Sequence, residues 1–140
     1  MRTPLLLIAL VLCIYSCNTS QKETKNQTTN LGELQHGIPI SEAAKPDFEQ
    51  GLLLLHSFEY GDARQSFQAA VDADPEEMMA YWGMTMTYYK ALWGLQNVEE
   101  GRKVMLLKGD TKEERIAKAQ EGIERDLWQG LELLFGEGEL

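Results

Sequence analysis

The stretch Gly51–Pro75, GLLLLHSFEYGDARQSFQAAVDADP, decides the fold, because Gly51, Ala63, Phe67, Ala70 and Pro75 stand in it at the spacing of a helix pair. Small residues at Gly51 and Ala63 let two antiparallel helices approach closely. Phe67 plugs the gap between them, and Pro75 stops the second helix. Working outward, the pattern predicts a first helix from Pro46 to Phe58, with Pro46 at its start and Asp47 and Glu49 suiting its N-terminus. Its apolar residues Phe48, Leu52, Leu54, Leu55 and Phe58 cover two faces, the width a helix needs when it packs on neighbours at both sides. A turn at Tyr60-Gly61-Asp62 leads to a second helix, Ala63 to Ala73, with Phe67, Ala70 and Val71 inward.

Counted from Ala44 as position one, Gly51 is at eight, Ala63 at twenty, Phe67 at twenty-four, Ala70 at twenty-seven and Pro75 at thirty-two. A second unit from Met78 puts Tyr81 at four, Met84 at seven, Thr85 at eight and Tyr88 at eleven, and a third start puts Trp128 at four, Leu131 at seven and Phe135 at eleven. These positions resemble the 34-residue tetratricopeptide repeat, firmly over Ala44 to Tyr89 and loosely over Thr111 to Leu134. Asp47, Gln50 and Leu54 depart from the family pattern in the first unit. In the second, Asn97, Gly101, Val104 and Gly109 replace its Ala, Phe, Ala and Pro, so an insertion or divergent helix is expected after Trp93. His56-x-Phe58-x-Tyr60 followed by Ala80-Tyr81-Trp82-Gly83 is similar to a subgroup of bacterial repeat proteins. The fold this implies is all-α: antiparallel helix pairs of a short solenoid at residues 41–140, after a signal peptide and a flexible tether.

A third helix is expected from Glu76 to Leu92; its Met, Tyr and Trp residues make it apolar almost all round, so it should be buried or meet a partner. A short helix follows from Val98 to Leu107. Thr111 and Glu114 form a capping box for a long last helix, down which Ile116, Ala119, Ile123, Leu127, Leu131 and Leu134 recur at helical spacing as one stripe. Because the third start at Trp128 breaks off before a second helix, the chain reads as the N-terminal part of a longer solenoid.

At the N-terminus, Met1-Arg2 is followed by an apolar run from Leu5 to Tyr15, a signal too short to span a bilayer permanently. Ile14-Tyr15-Ser16-Cys17 resembles the bacterial lipobox, which implies a signal peptide over 1–16 and lipidation of Cys17; two or three acyl chains suffice for anchoring. Cleavage removes Cys13, so the mature chain keeps one cysteine and no internal disulfide. Residues 17–40, rich in Asn, Thr, Gln, Lys and Glu, read as a lipidated linker reaching on the order of 25 Å. The resemblance implies the bacterial cell envelope, at the outer membrane facing the periplasm. With 13 basic and 22 acidic residues the chain carries −9, and loss of Arg2 leaves −10. Such a field repels nucleic acid and anionic lipid.

In tetratricopeptide proteins the first helix of each repeat lines a concave groove. Carried over, that groove is Phe48, Leu52, Leu55 and His56 in the first unit and Met79, Trp82, Met86 and Tyr89 in the second, with Lys45 and Lys90 at its edge. It implies a protein or peptide partner, with Trp and Tyr as anchors and Met adapting in shape; the competing reading of the same stripe is plain core. His56 is either a pH-sensitive contact there or a helix-end residue bonded to a carbonyl. No catalysis is expected: the mature chain has no nucleophile motif, P-loop or dinucleotide glycine pattern. Adjacent acidic pairs such as Glu76-Glu77 diverge by about 100° on a helix and cannot face one substrate. Two His and one mature Cys give no zinc cluster, and neither cofactor nor metal is expected. The function implied is a non-catalytic, membrane-tethered scaffold. The alternatives are a glycan-capture lipoprotein of nutrient uptake, which needs an exposed aromatic platform, and a structural subunit of an envelope complex.

Overall fold

The computed structural model describes residues 31–137. The expected signal peptide, Cys17 and the expected linker up to residue 30 lie outside the described residues. Helix α1, Lys45–His56, has Pro46 in its first turn beside Asp47. Helix α2, Tyr60–Ala73, follows after a three-residue connection and ends at Asp74 before Pro75. Helix α3, Met78–Met86, is N-capped by Glu77, whose carboxylate accepts from Met79 N–H and from Ser41 N–H. Helix α4, Val98–Leu106, is capped by Asn97. Helix α5, Lys112–Lys118, begins with the Thr111/Glu114 capping box foreseen from the sequence. Helix α6, Ile123–Phe135, closes the described chain. The described residues are thus mostly helical, with six α-helices and one two-stranded hairpin.

The centre of the packing is the Phe67 ring, fully buried between two helices that carry glycine opposite it. A Cβ on Gly51 of α1 would lie 2.8 Å from the ring, and one on Gly83 of α3 would lie 2.3 Å from it. Only a missing side chain allows both helices so near. Ala63, a turn before Phe67, is also fully buried. The pattern recurs at the other end, where a Cβ on Gly101 would meet the Phe135 ring at 2.3 Å. Trp128 of α6 is fully buried and donates its indole N–H to the Met78 carbonyl at 3.2 Å, tying α6 to α3.

Three expectations are corrected. Helix α3 ends at Met86 and does not reach Leu92. The Thr hydroxyls turn back on the helix, Thr85 donating to Tyr81 O at 2.8 Å and Thr87 to Met84 O at 2.7 Å. The chain then forms a hairpin in which β1, Tyr89–Lys90, pairs antiparallel with β2, Leu95–Gln96, around a 3₁₀ turn at Ala91–Trp93. Gly94 supplies the left-handed residue this turn needs, at φ 61°.

The single long last helix is two helices: α5 ends at Lys118, where Ala119 is already extended at ψ 133°, and α6 starts after Gly122, at φ 101°, ψ −143°, a conformation closed to residues with a side chain. The break resets the helical phase, so the stripe through Ile123 and Leu127 is not the buried one. Ile123 is 44% exposed, and the inward face of α6 is Glu124, Trp128, Leu131, Glu132 and Phe135. Glu132 is tolerated there because Arg115 of α5 meets it with two hydrogen bonds, 2.7 and 2.9 Å, both side chains buried.

The compact unit also starts earlier than residue 41, at Leu31. Residues 31–40 form no regular secondary structure, and Leu31, Leu34, Ile38 and Ile40 pack against the core. From Leu34 onward the inward residues alternate with outward ones, as a strand-like segment laid on a surface does.

Candidate partner-binding surface

The eight residues expected to line the groove divide by depth. Phe48 and Met79 are fully buried and Leu52 nearly so; they are core and present no surface. Phe48 is enclosed on one side by the Phe67 ring, centroids 5.7 Å apart, and on the other by the edge of His36 at 6.0 Å. His36 belongs to the segment 31–40 and contacts Glu49 of α1 at 3.4 Å. That segment lies over Phe48, so this part of the stripe is the plain core of the alternative reading.

The other five remain accessible. Leu55, Trp82, Met86 and Tyr89 are half-buried and His56 is exposed at the end of α1. Trp82 and Met86 are one turn apart, so they share a face of α3. The rest of α3, including Met78, Ala80, Tyr81, Gly83 and Met84, is buried. His56 makes no side-chain hydrogen bond among the described residues.

A second surface was missed by the sequence reading, which placed Phe58 on the packing faces of the first helix and Tyr60 in the turn after it. Phe58 is 51% exposed, and Leu92, Trp93 and Leu95 on the hairpin are exposed as well. The Trp93 ring meets Phe58 edge-on at 5.6 Å and Tyr60 at 5.8 Å. Phe58 stands at φ 63°. The reason is the end of α1: Glu59 N–H donates to Leu54 O at 2.9 Å and Phe58 N–H to Leu55 O at 3.1 Å. This pair of bonds is the Schellman closure, in which glycine normally takes the left-handed position. Phenylalanine there costs about 1 kcal/mol of backbone strain. The available signal was an aromatic residue, with no glycine, between the end of one helix and the start of the next.

Two buried charged groups lie elsewhere. Burial pushes the Glu124 carboxyl above the usual glutamate range, opposed by the hydrogen bond it accepts from Gln120 N–H at 2.9 Å and reinforced by Glu77. The hydrogen bonds that Arg115 donates to Glu132 raise its pKa, against the effect of burial. Among the described residues no helix is long and apolar enough to cross a membrane, and no group of three His, Cys, Asp or Glu could hold a metal ion. A scan against protein-family models, a search of curated proteins and a search of solved structures each returned no match.

Proposed function

We propose that the chain is a non-catalytic, membrane-tethered scaffold of tetratricopeptide-like helix pairs that binds a protein or peptide partner in the bacterial cell envelope. The observation that carries this reading is the side of α3 that keeps Trp82 and Met86 half-exposed on a helix otherwise buried. An aromatic ring beside a flexible thioether, supported from below by a packed core, is the composition of an interface hot spot. The repeat-like part of the reading is supported by Phe67, which wedges between Gly51 and Gly83 as the spacing around Gly51 requires. The groove of this proposal is narrower than the sequence implied: Leu55, His56, Trp82, Met86 and Tyr89, without Phe48, Leu52 and Met79.

Capture from detergent-solubilised envelope membranes tests it, with Trp82→Ala and Met86→Ala as controls. A protein partner retained by the parent chain and lost by both variants is expected; a partner held equally by both contradicts the assignment of α3. The glycan-capture alternative gains one specific observation, the exposed rings of Phe58, Tyr60 and Trp93. An oligosaccharide array whose signal is abolished by Trp93→Ala and untouched by Trp82→Ala favours it over the scaffold. The obligate-subunit alternative takes a face of the third helix as its interface; with Met78, Met79 and Met84 covered within the chain itself, Trp82 and Met86 are what that helix offers it.

A further inference from the structure

Beside the exposed aromatic cluster lies a hollow of about 340 Å³ lined by Arg64, Tyr88, Lys90, Leu95, Gln96 and Asn97. Arg64 is held there before any ligand arrives. Its Nε–H donates to Thr87 Oγ at 2.9 Å, and the Thr87 hydroxyl is itself fixed by its bond to Met84 O at 2.7 Å. The guanidinium carbon rests 3.9 Å from the centroid of the Tyr88 ring. One edge and one face are therefore engaged, while both terminal nitrogens have no hydrogen bond among the described residues. Lys90 stands 5.4 Å from the Tyr60 ring.

Neither cation has a carboxylate partner among the described residues, although the chain has 22 acidic residues against 13 basic. Lys103, Lys108, Arg115 and Arg125 each do, while Lys45, Arg102, Lys112 and Lys118 share the lack of one among the described residues. Asn97 spends its side-chain oxygen on Glu100 N–H and keeps its amide hydrogens; Gln96 gives an amide hydrogen to Leu134 O and keeps its oxygen. The hollow thus offers two cations and an uncommitted amide donor, with no carboxylate in its lining. Its neighbour is the strained, exposed Phe58 with Tyr60 and Trp93. Strain of this kind persists where surrounding structure enforces it, and it clusters at binding sites.

We infer that the hollow binds a carboxylate carried on an apolar or aromatic ligand, with Arg64 and Lys90 taking the carboxylate and the Phe58–Tyr60–Trp93 cluster taking the apolar part. A planar guanidinium edge matches a carboxylate through two parallel hydrogen bonds. One guanidinium end, one ammonium and one free amide donor are enough to satisfy a single carboxylate. The site is separate from Trp82 and Met86, and it stands whether or not α3 binds a protein.

The test is NMR titration of the full chain in nanodiscs with phenylacetate, with phenylacetamide as the neutral isostere and with inorganic phosphate. Saturable shifts at the Arg64, Lys90 and Asn97 amides are expected with phenylacetate, at an affinity about tenfold or more above that of phenylacetamide. Arg64→Gln should weaken phenylacetate about tenfold and Lys90→Gln severalfold, while Lys112→Gln leaves it unchanged. Lys90→Gln removes no hydrogen bond among the described residues, so it guards against a folding defect in the Arg64 variant. Equal binding of acid and amide, or unchanged affinity in both variants, overturns the site. Phosphate saturating it as tightly as phenylacetate overturns the assignment to a carboxylate.

Discussion

Replacing Gly83 with Ala places one methyl group at the most crowded point of the core. The new Cβ lies 2.3 Å from Phe67 Cε1, 2.5 Å from Cζ and 2.6 Å from Cδ1. Carbon atoms in contact sit at about 3.5–4.0 Å, so the ring must retreat by roughly 1 Å. It has little room, because Gly51 and Phe48 close its other sides and its exposure is 0%. Overpacking of this kind costs about 1–3 kcal/mol, against which alanine gains about 1 kcal/mol over glycine inside a helix. The expected net loss is up to about 2 kcal/mol, read as a fall of up to roughly 1 M in the urea midpoint followed by far-UV circular dichroism. Gly51→Ala, with its closest approach at 2.8 Å, should lose less. Phe67→Leu removes ring atoms that the methyl strikes, so the double variant Gly83→Ala/Phe67→Leu should be more stable than the sum of the single losses by about 1 kcal/mol. A rise in the midpoint for Gly83→Ala alone, the result helix propensity gives without any crowding, refutes the packing of Phe67 between α1 and α3.

Arg115→Met strands the Glu132 carboxylate in the core and should cost about 3–5 kcal/mol, whereas Arg115→Met with Glu132→Leu should recover most of it; thermal unfolding of both variants checks the contrast. Phe58→Gly relieves the left-handed strain at the end of α1 and should raise the urea midpoint by an amount equivalent to about 1 kcal/mol or less, since the ring's contacts with Trp93 and Tyr60 are lost at a half-exposed site; a lower midpoint contradicts the strain. Glu124 has its folded pKa raised by burial, so it is protonated in both states below the ordinary glutamate value and loses stability as pH rises through the window just above it. Glu124→Gln should therefore match the parent near the acidic end of that window and exceed it at neutral pH, in paired denaturant titrations; a difference that does not change with pH contradicts it.

The helix pair was legible because its determinants are local: Pro46, Gly51, Ala63, Phe67 and Pro75 encode start, approach, wedge and stop within one stretch. The capping box at Thr111 and Glu114 was equally plain. What escaped the sequence depends on choices between local options. Tyr88 and Tyr89 extend an apolar helical pattern on paper, yet Thr85 and Thr87 bond back to α3 and Gly94 turns the chain into a hairpin. The stripe through Ala119 and Ile123 reads as one helix, but the chain leaves the helix at Ala119 and turns through positive φ at Gly122, which moves the buried face from Ile123 to Trp128 and Phe135. In the segment 31–40 the alternation of Leu34, His36, Ile38 and Ile40 was visible, hidden only by the polar composition before it. The groove was overdrawn for a related reason: periodicity identifies the apolar side of α1 and α3 but not whether another segment covers it, and His36 covers Phe48. The hollow at Arg64 and Lys90 had no sequence signal, since its walls come from α2 and a hairpin that periodicity read as helix.

Site-specific photo-crosslinking in living bacteria addresses the proposed partner-binding face of α3 most directly, with a benzoyl-phenylalanine probe in place of Trp82 and, as reference, in place of Leu133, an exposed residue of α6. The account predicts a discrete protein adduct from position 82 in the envelope fraction and none from position 133. No adduct at 82, or the same adducts from both positions, contradicts it.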